Sequence, residues 1–133
     1  YGVFIGRNED ELTTTLTIKH QKPNLKSLTI IKAVLFDKAY LNITGNLIIN
    51  KGAKHTDAYL KLETLIMSDS AMARVIPSLE ITENDVKGGH GATVGPVDQE
   101  QIFYLQSRGL SEKQAEKVLV DGFLSDIIEK INT

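Results

Sequence analysis

The sequence predicts a mostly β fold, a β-solenoid followed by a few short helices, on three observations. First, the 133 residues include 14 Ile, 8 Val and 11 Thr, gathered before residue 95, and β-branched side chains favour strands. Second, Ala39-Tyr40-Leu41-Asn42-Ile43, Ala58-Tyr59-Leu60-Lys61-Leu62 and Pro77-Ser78-Leu79-Glu80-Ile81 recur at an offset of 19 residues. Third, beyond residue 97 the apolar residues fall three and four apart among Gln, Glu, Lys and Ala, which is helical spacing. The boundary is predicted at Gly95-Pro96.

Within each repeat apolar and polar residues alternate, so Leu41 with Ile43, Leu60 with Leu62, and Leu79 with Ile81 each share one strand face. A 19-residue period suits one coil of a solenoid, with Leu41, Leu60 and Leu79 stacked as inward neighbours. Gly45, Lys51-Gly52, Ser68-Asp69-Ser70 and Glu83-Asn84-Asp85 are then expected at corners. A twisted antiparallel sheet is the alternative, disfavoured because no Asn-Gly or Asp-Gly pair separates these runs. Two or three short helices follow. Asp98 with Gln101 and Ser111 with Gln114 have capping-box spacing, and Gly109 reads as a helix stop. Ala115, Val118, Leu119, Phe123, Ile127 and Ile131 form one stripe, which Gly122 is expected to break or kink. The stripe either caps the open end of the solenoid or docks a partner.

The composition excludes whole classes of function. Without cysteine there is no disulfide, thiolate metal site or cysteine nucleophile. A net charge of −2 with no basic run argues against nucleic acid or anionic lipid as a partner. No stretch has the apolar length of a membrane span. The chain opens on Tyr1-Gly2-Val3 rather than on methionine, which reads as a segment of something longer.

Three histidines, His20, His55 and His90, are spaced by 35, but residues two 19-residue coils apart would sit about 10 Å apart, too far for one metal. His90 stands out because four glycines surround it in Lys87-Gly88-Gly89-His90-Gly91-Ala92-Thr93-Val94-Gly95. That composition frees the backbone for unusual angles and lets another surface approach. His90 is either a core histidine with a satisfied ring or a metal ligand or acid–base group. His55, beside Thr56-Asp57, reads as a turn residue, and His20 as a surface or strand residue. Glu9, Asp10 and Glu11, and Glu80, Glu83 and Asp85, read as solvated carboxylates. No phosphate-cradling glycine loop ending in Lys-Ser or Lys-Thr is present.

A resemblance runs through Thr56-Asp57-Ala58-Tyr59, Leu65-Ile66-Met67-Ser68-Asp69, Pro77-Ser78-Leu79-Glu80-Ile81, Asp85-Val86-Lys87 and His90-Gly91-Ala92-Thr93-Val94-Gly95. It continues through Phe103-Tyr104-Leu105-Gln106-Ser107-Arg108-Gly109 to Gly122-Phe123. In order and spacing these motifs resemble the C-terminal third of the SufB/SufD proteins of iron–sulfur cluster assembly. The resemblance implies a right-handed parallel β-helix over residues 1–96 and a helical partner-binding domain over 97–133. It also implies pairing with a SufB-like protein through the β-helix, docking of a SufC-like ATPase through the C-terminal helices, and a cytoplasmic setting. A transient iron–sulfur cluster in the complex would be the only cofactor, and pairing with a second copy is a further option. By motif His90 matches the SufD histidine implicated in cluster formation. Leu62 stands where SufB carries its functional cysteine, and Gly91 where SufB has glutamate; both are SufD-like. Gly88 stands where many SufD proteins have cysteine, so His90 would hold iron only with a partner's ligands. The expected docking residues are Phe103, Tyr104, Arg108, Val118, Leu119 and Phe123.

Two other functions compete with this non-enzymatic scaffold. One is a β-helix acyltransferase using His90 as general base, suggested by weak six-residue echoes from Leu41 to Leu47 and from Leu60 to Ile66. The other is a structural solenoid without chemistry.

Overall fold

The structure is a computed structural model and describes residues 1–132. Seven strands precede two helices: β1 (Gly2–Gly6), β2 (Glu11–His20), β3 (Lys26–Leu35), β4 (Tyr40–Ile49), β5 (Asp57–Ile66), β6 (Met72–Ile81), β7 (Lys87–Pro96), α1 (Gln99–Ser107) and α2 (Glu112–Ile131). Consecutive strands alternate between two sheets, of order β1-β3-β5-β7 and β2-β4-β6. Every pairing is parallel, which makes about three turns of a β-helix. The antiparallel alternative is thereby excluded.

The coil is longer than the repeat suggests. Glu11 pairs with Tyr40 and Tyr40 with Met72, while Lys26 pairs with Asp57 and Asp57 with Lys87. One turn therefore takes 29 to 32 residues and two strands. Leu41 stacks on Leu12 and Ala73, Leu60 on Thr29 and His90, and Leu79 on Leu47. Leu41, Leu60 and Leu79 all point inward, but they meet across the interior from opposite sheets. The 19-residue echo reflects one strand plus one corner, because both sheets turn an apolar face to the same core. The six-residue echoes have no counterpart in this two-sheet coil.

Inside the coil, Leu35, Leu41, Leu47, Ile49, Leu60 and Leu62 are almost wholly buried. Gly45 is not at a corner; it lies within β4, where a Cβ would come within 2.8 Å of Leu60 Cδ2. The remaining expected corners are turns or bends. At two of them residues in the left-handed region, Asn24 and His55, stack above one another. Gly52 N donates to Glu83 Oε2 at 2.9 Å and holds that carboxyl below its usual range.

A second core lies outside the coil. Ile30 and Val34 on the outer face of β3, together with Met67 and Val97, pack against Ile102, Ala115, Val120, Leu124 and Ile127. The helices therefore cover the lateral face of the β1-β3-β5-β7 sheet and do not cap the coil end. α2 runs unbroken through Gly122. Its buried face is Ala115, Val120, Leu124 and Ile127, whereas Val118 and Ile131 of the expected stripe are about half exposed, at 46% and 51%. A strip read from hydrophobicity alone missed the register because apolar residues occupy both faces.

Ser111 and Gln114 form a reciprocal capping box. Asp98 instead caps α1 by accepting from Glu100 N. Gly109 (φ 100°) ends α1 in a Schellman motif, its N–H donating to Gln106 O and that of Leu110 to Leu105 O. One polar contact pins helix to sheet. Lys32, on the outer face of β3, donates to Phe123 O and Asp126 Oδ1, both at 2.7 Å, with its ammonium 4.7 Å from the Phe123 ring centroid.

Candidate functional site

β6 and β7 are the last strands of their sheets, and each pairs on one side only among the described residues. Their inward residues consequently lack a further turn to lie on. On β6 these are Ala73, Val75, Pro77, Leu79 and Ile81, in register with Leu41, Ile43, Gly45, Leu47 and Ile49. On β7 they are Gly88, His90, Ala92 and Val94, in register with Ala58, Leu60, Leu62 and Thr64. Leu60 is fully buried, yet His90 above it is exposed. The coil end is thus an apolar surface carrying one imidazole.

His90 is not a satisfied core histidine, for no hydrogen bond reaches its ring among the described residues. It shares its face with Ala92 and Val94, as the alternation implied. Gly88 shares that face too, and a Cβ there would come within 2.7 Å of Ile81 Cδ1. None of the β7 glycines has a positive φ, so the backbone around His90 is ordinary strand rather than unusual.

The other histidines have structural roles. His20, the last residue of β2, is buried, and Nε2 lies 2.8 Å from Ser27 Oγ. His55 sits at a corner between neighbouring turns, with Nδ1 3.1 Å from Asn24 Oδ1 and Nε2 2.8 Å from Asp85 Oδ2. Its own N–H donates to Asp85 O at 2.6 Å. Each histidine occupies a different place, and among the described residues no three His, Asp or Glu side chains gather as a metal site. Glu9, Asp10, Glu11, Glu80 and Asp85 are exposed.

Of the expected docking residues, Phe103 and Tyr104 are exposed at 72% and 56%, and Val118 is also exposed. Arg108 lies over the Tyr104 ring. Leu119 and Phe123 are half-buried against the outer core instead. Sequence reasoning missed Lys32 because a single lysine in a strand carries no signal of a helix 91 residues away in the chain. Among the described residues no helix is long and apolar enough to cross a membrane.

Comparison with known proteins agrees with this architecture. The family model described as SUF system FeS cluster assembly, SufBD core domain, matches residues 1–123. The chain is 34% identical over 124 residues to the iron–sulfur cluster assembly protein SufD of Escherichia coli, covering 92% of this chain and 29% of that protein. It is 33% identical over 129 residues to SufD of Bacillus subtilis, covering 97% and 30%. An iron–sulfur cluster assembly SufBD family protein of Mycobacterium tuberculosis is 33% identical over 138 residues, covering 98% and 35%. The chain thus spans about a third of the length of the curated relatives it matches. With a two-sheet parallel β-helix, an outer helical layer and this match over nearly its whole length, the chain belongs to the SufBD family of iron–sulfur cluster assembly proteins and is SufD-like.

Proposed function

We propose that this chain is the C-terminal portion of a non-enzymatic SufD-like scaffold subunit. It pairs through the end of its β-helix with a SufB-like protein and offers its helices to a SufC-like ATPase in the cytoplasm. The iron–sulfur cluster is the cargo of that complex. The observation carrying this reading is the coil end: two strand edges without a further neighbour and an exposed imidazole facing along the stack. Strand edges of this kind pair readily with another chain.

An imidazole nitrogen is a good iron ligand, but clusters are held chiefly by thiolates. With no cysteine of its own, this chain contributes one ligand and the partner contributes the rest. Phe103, Tyr104 and Val118 supply the exposed apolar surface for the ATPase, with Arg108 beside them. Leu119 and Phe123 act indirectly, by seating α2 on the sheet.

The test is anaerobic cluster assembly after co-expression of the full-length parent with SufB-like and SufC-like partners. His90→Ala should lower cluster yield while all three subunits still co-purify, because one ligand is lost and the pairing surface is kept. A mutant complex that fails to assemble would make His90 structural. Wild-type yield would place the chemistry wholly in the partner. A parent that forms only a dimer with itself would overturn the pairing.

A further inference from the structure

The glycines flanking His90 leave room for an aromatic ring. A Cβ at Gly89 would lie 2.9 Å from both Cδ2 and Cε2 of Tyr59, and one at Gly91 would lie 3.0 Å from the Tyr59 hydroxyl oxygen. Tyr59 stands across the ladder from Gly89, and its neighbours Ala58 and Leu60 point into the core, so its own side chain points outward. The ring lies along the outer face of β7, over Gly89 and Gly91. Those two glycines are half-buried, while Gly88, His90 and Ala92 on the opposite face are exposed. β7 is an edge strand with glycine at positions 88, 89, 91 and 95. It therefore has few side chains of its own to pack and a high entropic cost of ordering.

We propose that Tyr59 is the positioning residue of His90: its ring backs the glycine-rich strand from outside and fixes the direction in which the imidazole faces the coil end. The inference rests on the reading of His90 as the site. Gly95 marks the contrast, since a Cβ there meets nothing within 4 Å.

The experiment measures residue-resolved amide exchange over 88–92 and the His90 ring resonances by NMR in the full-length protein. Tyr59→Ala should speed exchange of these amides about tenfold or more and move the ring resonances. Tyr59→Phe should change neither. Gly91→Ala should reproduce the Tyr59→Ala effect and be rescued by Tyr59→Phe, which removes the clashing oxygen. Gly89→Ala should not be rescued by phenylalanine, because its conflict is with ring carbons. Gly95→Ala should be silent. Unchanged exchange and resonances in Tyr59→Ala would overturn the proposal, as would a Gly91→Ala variant indifferent to the residue at 59. If exchange and resonances respond as expected while cluster yield stays constant, the positioning stands and the ligand role of His90 fails.

Discussion

Leu60 is where the interior and the candidate site meet, since it is fully buried and stacks directly beneath His90. Truncation to alanine removes that floor and leaves a cavity in a close-packed coil. Leu60→Ala should cost about 2–5 kcal/mol in chemical denaturation. Gly45 faces Leu60 and Leu62 from the opposite sheet, so Gly45→Val should also destabilise, by about 1–3 kcal/mol, through overpacking. The inward direction of Leu60 was legible from alternation. The place of Gly45 was not, because a glycine leaves no mark in a hydrophobic pattern and its neighbours come from another strand.

At the scale of the element, α2 is held by burial and by one cation. Lys32 is 8% exposed at its side chain and lies 3.6 Å from Glu63 Oε2 as well as bonding to Asp126. Glu63 is also paired with Lys61 at 2.9 Å, and the hydrogen bond and charge of Glu63 raise the Lys61 pKa. The Lys32 hydrogen bond holds the Asp126 carboxyl below its usual 3.8. A depressed carboxyl contributes its stabilisation above the ordinary carboxylate range and loses it as pH falls through the lowered value. Helix docking should therefore weaken only below about pH 4, read as faster amide exchange in α2. Lys32→Met should remove that acid dependence and weaken docking at neutral pH by roughly 1–3 kcal/mol. An acid response persisting in Lys32→Met would assign it to other carboxyls. The caps at Ser111 and Gly109 were legible because capping is local in sequence; the seating of α2 depends on β3 and was not.

Across the whole molecule, the two cores serve different ends. The inner one holds the strands in register, and the outer one places the helices on the side of the coil, leaving its end open. Deleting residues 98–133 would strip the cover from Ile30, Val34 and Met67, so loss of partner binding in that truncation would mix docking with unfolding. A surface variant separates them. Phe103→Glu with Val118→Glu should abolish binding of the SufC-like ATPase in a pull-down while changing stability by no more than about 0.5 kcal/mol per site, because both side chains are exposed. Retained binding would move the docking surface elsewhere on the chain. The sequence by itself determined the strand content, the inward alternation, the switch to helices after Pro96 and the family, all carried by local pattern and ordered motifs. Only the tertiary structure decided the two-strand turn of 29 to 32 residues, the lateral seat of α2 and the exposure of His90. The reason is that alternation reports whether a side chain points inward but not which sheet it belongs to, and burial of a last turn depends on whether another turn follows.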